Sequence, residues 1–134
     1  MDVGHGSGWS TALLASIVGD QGAIYAVELL EGLCRLGEKN VSKYPALRKR
    51  VRFYCQNAAS GLAEVAEEIG GFDAIIAAAE VTDVPEAWRK QLKIGGRLVY
   101  PQNQAIVREI KSDAGVFEAS RYPGFVFVPF VDKA

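Results

Sequence analysis

One histidine and two cysteines in 134 residues leave no material for a His-rich metal site, a zinc cluster or a disulfide scaffold. Charge of one sign is also missing: 15 Lys+Arg against 16 Asp+Glu gives a formal net charge of −1, without the basic excess of a dedicated nucleic-acid binder. No apolar run approaches the roughly 18 residues that a membrane helix requires. Asp2 and the glycines between Gly4 and Gly8 interrupt any signal-peptide core at the start. What is present is ordinary globular composition, 49% hydrophobic and 23% charged, in a length that suits one domain with its own core. The expectation is a cytoplasmic protein with no metal, no nucleic acid and no membrane among its partners.

Periodicity alternates between strand-like and helix-like runs. Met1–Val3 is a short apolar lead into Gly4-His5-Gly6-Ser7-Gly8, followed by a helix over 11–18 and a turn over 19–22. A continuous apolar strand over 23–27 closes on Glu28, helical spacing resumes over 30–36, and Pro45 marks a break before a strand over 51–55. A helix over 62–69 stops at Gly70-Gly71, a buried strand fills 72–79, and Pro85 opens a short helix carrying Trp88 and Leu92. A strand over 97–100 then precedes a hairpin of 105–111 and 116–122 about the turn Ser112-Asp113-Ala114-Gly115, and 125–131 reads as a final strand. The implied fold is α/β: a Rossmann-like sheet, mostly parallel with an antiparallel C-terminal hairpin, and helices on both faces.

Gly4, Gly6 and Gly8 lie between an apolar lead and a helix, where open α/β sheets bind nucleotides. The alternative is a loop that needs only tight turns. Their G-x-G-x-G spacing departs from the dinucleotide pattern G-x-G-x-x-G, which disfavours a nicotinamide-dependent oxidoreductase and favours a ligand without a pyrophosphate. Glu28 ends the next strand about 20 residues on, where a carboxylate can accept from both hydroxyls of a ribose, or can be merely solvated. Asn57 follows the third strand with an amide suited to a purine edge, or forms a turn. Ala77-Ala78-Ala79 provides a small-residue floor without acid, base or nucleophile. His5 reads as pointing to solvent, Trp9 as a packing or ligand-wall residue, and Cys34 and Cys55 as buried inert thiols. The five Lys/Arg between Lys43 and Arg52 read as a solvated helix end and strand entry.

These residues resemble the class I S-adenosylmethionine-dependent methyltransferases, and more closely the protein-L-isoaspartate O-methyltransferases. The similarity runs through Asp2-Val3-Gly4-His5-Gly6-Ser7-Gly8-Trp9, Ile24-Tyr25-Ala26-Val27-Glu28 and Phe72-Asp73-Ala74-Ile75-Ile76. It continues through Val84-Pro85-Glu86-Ala87, then residues 91–99 (QLKIGGRLV) and Phe127-Val128-Pro129-Phe130. The resemblance implies an S-adenosyl-L-methionine cofactor, its amino-acid portion cradled by Gly4, His5, Gly6, Ser7 and Gly8. Glu28, with Leu29 beside it, would hold the ribose; Asn57 and Ala58 would flank the adenine, and Asp2 would stand near the ammonium group. The implied reaction methylates the carboxylate of isoaspartyl residues in damaged proteins, with no residue in a chemical role.

Three features depart from the family pattern. Its N-terminal segment, with a Ser/Thr-bearing loop, has no counterpart before Met1; Asn57 replaces an Asp; Ala78 replaces a Thr and Glu80 follows. The expectation is therefore a single cofactor-binding domain, residues 1–134, truncated at its N-terminus relative to the family, with a homodimer as one way to cover exposed surface. The alternative is a non-catalytic remnant that binds cofactor weakly or serves as an interaction domain.

Overall fold

A computed structural model describes residues 1–113 and 115–132. They fall into two compact units, Met1–Ala58 with the chain from Val131 onward, and Ala59–Phe130.

The first unit is a β-α-β-α-α-β succession: β1 (Asp2–Val3), α1 (Trp9–Val18), β2 (Ile24–Glu28), α2 (Glu31–Val41), α3 (Pro45–Arg48) and β3 (Val51–Cys55). Its strands run parallel in the order β3-β2-β1, with Ala26 beside both Asp2 and Phe53. Every residue of β2 is buried, as a central parallel strand requires, which accounts for its unbroken apolar sequence up to Glu28. Ala15, Ile24, Ala26, Val41 and Val51 form the core, with Leu14, Leu47 and Phe53 packed against it. Arg50 holds the end of α1, donating to the Ala15 carbonyl at 2.9 Å and to the Asp20 carboxylate. Helix α3 lies where only a break is expected. Pro45 occupies its first turn, where the missing N–H costs no hydrogen bond.

The second unit comprises α4 (Ala63–Ile69), β4 (Phe72–Ala77), α5 (Glu86–Lys90), β5 (Leu92–Gln102), β6 (Ala105–Asp113) and β7 (Val116–Pro123). β4 and β5 are parallel, while β5, β6 and β7 form an antiparallel meander. The expected α/β class therefore holds, parallel strands first and an antiparallel C-terminal hairpin after them. Asn103 (φ 49°) and Gln104 (φ 57°) make the two-residue β5–β6 turn, both in the left-handed conformation that matches strand twist. β5 begins at Leu92, so this residue belongs to a strand and not to the α5 stripe. The turn expected over 112–115 includes residue 114, which lies outside the described residues.

One expected strand is absent. Residues 125–131 make a single bridge, Glu80 with Pro129, through Glu80 N–H to the Val128 carbonyl and Phe130 N–H to the Glu80 carbonyl, each 2.7 Å. Pro129 sits between the two bonded residues, where no N–H is needed, and Val126 and Val128 are 79% and 70% exposed. Phe130 is held by its ring, which meets the fully buried Trp88 edge-on at 5.4 Å.

Candidate functional site

The glycine loop begins where β1 ends. Gly4 N–H donates to the Val27 carbonyl at 2.8 Å, which ties the loop to β2, and Gly8 N–H closes a turn on the His5 carbonyl at 2.8 Å. Gly4 and Gly6 both have positive φ, and a Cβ on either would meet nothing within 4 Å. The backbone is therefore open to a ligand at those positions. Gly8 serves packing instead. A Cβ there would lie 2.7 Å from the Gly37 carbonyl oxygen, so side-chain-free backbone at both residues lets α2 approach the loop. Ser7 is exposed, and its carbonyl accepts from the Asn40 amide at 3.0 Å.

Glu28 stands at the end of β2 and is 8% exposed. Its Oε2 accepts from Gly6 N–H at 3.0 Å, and its Oε1 from Leu29 N–H at 2.8 Å and Leu30 N–H at 3.0 Å. One carboxylate thus joins the loop to the start of α2, whose own N-cap, Leu30, has no side-chain acceptor to offer. Three donors on two oxygens still leave acceptor capacity for a hydroxyl. Leu29 is half-buried beside it.

Asp2, 1% exposed, lies under the loop. Its Oδ2 accepts from Thr11 Oγ1 at 2.7 Å and from Ser10 Oγ at 3.3 Å, while Oδ1 has no partner among the described residues. Burial pushes its carboxyl above the ordinary 3.8, against the opposing pull of the Thr11 hydroxyl and the His5 imidazole. A buried carboxylate with a bare oxygen is costly alone and suits a cationic ligand group.

His5 does not point to solvent. It is 3% exposed, its ring meets Phe53 edge-on at 5.2 Å, and Nδ1 lies 3.2 Å from the Gly6 carbonyl. Room for the imidazole comes from Gly37, where a Cβ would fall 2.5 Å from Nδ1. Trp9, the first residue of α1, is 72% exposed and lines a groove of about 420 Å³ with Ser7, Leu13 and Tyr44. That groove includes none of Asp2, Glu28 and Asn57.

Beyond β3, Ala58 is buried, and the exposed Asn57 donates through its amide to the Asp132 carbonyl. Cys34 and Cys55 are not inert thiols. They form a disulfide across 21 residues, Cα to Cα 5.7 Å, between α2 and the last residue of β3. Two cysteines remote in sequence carry no sign of this; the Glu28–Cys55 register that brings them together exists only in the fold. Among the described residues no three His, Cys, Asp or Glu could hold a metal ion, and no helix is long and apolar enough to cross a membrane.

A family model described as protein-L-isoaspartate(D-aspartate) O-methyltransferase matches residues 1–134. Among similar curated proteins, the protein-L-isoaspartate O-methyltransferase of Thermococcus onnurineus is 32% identical over 99% of this chain and 60% of its own length. That of Thermotoga maritima is 29% identical over 95% of this chain and 34% of its own length. The chain thus spans about a third to three-fifths of the curated relatives it matches. A solved protein-L-isoaspartate O-methyltransferase superposes with a TM-score of 0.86 at 26% identity, covering 97% of this chain and 41% of that one. A Plasmodium falciparum structure in complex with S-adenosyl-L-homocysteine shares the fold at a TM-score of 0.83 and 23% identity, covering 98% of this chain and 65% of its own.

Proposed function

The chain belongs to the protein-L-isoaspartate O-methyltransferase family, and on that footing we propose that it binds S-adenosyl-L-methionine and methylates the carboxylate of isoaspartyl residues. Such a reaction serves repair of damaged proteins, and we place it in the cytoplasm, on a single cofactor-binding domain over 1–134. The Glu28 carboxylate, buried and fastened to the Gly6 amide, carries this reading. It joins a bare-backbone loop to a ribose-type acceptor across 22 residues of sequence.

The residues present fit the cofactor. Open space over Gly4 and Gly6 supports backbone contact with its amino-acid portion, and the unpartnered Asp2 Oδ1 supports an ammonium group close by. Remaining acceptor capacity on Glu28 supports the ribose diol. When bound, S-adenosylmethionine supplies a methyl group on a cationic sulfur. The acceptor carboxylate is ionised at neutral pH, so the chain has no proton to remove. Its residues have only to bind, align and exclude water, and alignment can contribute up to about 7–11 kcal/mol.

A non-catalytic domain that binds cofactor weakly or serves in interactions is the second reading. Asn57 favours it, because its amide already engages the Asp132 carbonyl and not an adenine edge. A homodimer covering exposed apolar surface, such as Trp9, Leu13 and Ile17 on α1, belongs to the proposal, with no nucleic acid or membrane among the partners. The test is transfer of a radiolabelled methyl group to an isoaspartyl peptide, with the aspartyl peptide as control. Base-labile label on the isoaspartyl peptide alone supports repair; cofactor binding with no turnover establishes the second reading.

A further inference from the structure

The disulfide is the feature that cofactor binding leaves unused. Cys34 lies in the first turns of α2, where its N–H bonds the Leu30 carbonyl at 2.9 Å. Leu30 is the residue whose own N–H holds Glu28 Oε1. Cys55 ends β3 in register with Glu28, and the next residue, Gln56, donates to the Glu28 carbonyl at 2.9 Å. Cys34 Sγ touches that same carbonyl at 3.3 Å, a contact without a hydrogen bond because a cystine sulfur carries no proton. The cross-link therefore closes a ring through the start of α2, the end of β3 and Glu28. Cys55 is exposed at the rim, whereas Cys34 is half-buried. An accessible sulfur is where exchange begins.

We propose that Cys34 and Cys55 form a reversible thiol–disulfide modification site, whose closure fixes Glu28 and the amides it holds and so strengthens cofactor binding. The affinity half of this statement rests on the cofactor reading above; the ordering half does not. The oxidant is a small-molecule disulfide of the glutathione class. The Cys55 thiolate attacks one of its sulfurs, expelling a thiolate and leaving a mixed disulfide. The Cys34 thiolate then attacks the Cys55 sulfur and expels the second. Two electrons and two protons pass from the cysteine pair to the reagent, which leaves as two thiols. A dithiol reverses both steps. In a compartment that keeps thiols reduced the pair rests open and closes under oxidative load.

The test compares the full chain after oxidised glutathione and after dithiothreitol. Maleimide mass tagging should count no free thiol in the first sample and two in the second; two free thiols in both would overturn the proposal. Hydrogen exchange of the ligand-free protein should be faster at Gly6, Leu29 and Leu30 in the reduced sample, and equal exchange would also overturn it. Calorimetry with S-adenosylhomocysteine should give a Kd about fivefold to tenfold higher after reduction, and an unchanged Kd would remove the affinity half. Cys34→Ala/Cys55→Ala should behave as the reduced protein in both buffers. Should that variant fail to fold, Cys55→Ser alone must lose the response, and a response that persists refutes the assignment. If S-adenosylhomocysteine binds in neither state, the cofactor reading fails while exchange still decides the switch.

Discussion

The two units treat a buried carboxylate in opposite ways. In the second, Glu109 is 5% exposed and neutralised: Arg89 donates to it twice, at 2.8 and 2.6 Å, and the Tyr100 hydroxyl once, at 2.7 Å. Burial works to raise the Glu109 carboxyl, yet these donors hold it below its ordinary value, while burial and Glu109 push the Tyr100 hydroxyl up to about 12. In the first unit, Asp2 is buried more deeply and keeps one oxygen bare, and its carboxyl is raised. A buried carboxylate neutralised by an arginine of its own unit is a structural device; one left with a bare oxygen and no cationic side chain at a loop of open backbone is waiting for a partner. The contrast concerns carboxylates alone, since Arg50 and Arg108, one in each unit, also keep a buried Nε without a partner.

The largest effect that could break this contrast is on stability. Glu109→Ala should cost about 3 kcal/mol in urea unfolding, the lower part of the range for a broken buried pair. The discount reflects Arg89, whose side chain keeps 35% of its surface in water. Affinity for S-adenosylhomocysteine should not change, and a large loss would place Glu109 in the site. Next, Gly8→Ala combines left-handed strain with a 2.7 Å approach to backbone and should cost about 2–3 kcal/mol together with cofactor affinity. Gly70→Ala, at a similar φ with nothing within 4 Å of its Cβ, should cost about 1 kcal/mol and leave affinity intact. Asp2→Asn keeps an acceptor for Thr11 and removes the buried charge, so it should gain about 1 kcal/mol, or about 4 °C in Tm, without ligand. The same change should weaken S-adenosylhomocysteine about tenfold, roughly the worth of one charge-assisted hydrogen bond.

The smallest effect sharpens the contrast through pH. Native Asp2 holds its proton more tightly than the unfolded chain does, so its contribution is complete below pH 3.8 and is lost as pH rises through the raised native value. Glu109 acts in the opposite sense: its contribution is present above pH 4.5 and is lost as pH falls through the depressed native value. Urea midpoints across this range should lose the first slope in Asp2→Asn and the second in Glu109→Gln. A variant that removes the other's slope would overturn the assignment.

What could be read from the sequence was local. The glycine loop, Glu28 and the strand entering each lie within one β-α-β unit, where spacing and periodicity determine position. The hairpin was readable because polar and glycine punctuation separates two runs that carry β-branched and aromatic residues. His5 escaped because its burial depends on Gly37, 32 positions on, having no side chain. The disulfide escaped because it needs the register of two parallel strands and the seating of α2. The strand expected over 125–131 is reduced to one bridge, an apolar run being insufficient where its side chains, Val126 and Val128 among them, stay exposed.

The central claim is that Glu28, fixed by the Gly6, Leu29 and Leu30 amides, holds the ribose of S-adenosylmethionine. Isothermal calorimetry with S-adenosylhomocysteine tests it on wild type, Glu28→Gln and Glu28→Ala, each shown by circular dichroism to be folded. Wild type should bind saturably, with affinity weakened about tenfold to a hundredfold in the variants. Equal affinity in all three, or no heat of binding in the wild type, would contradict the claim.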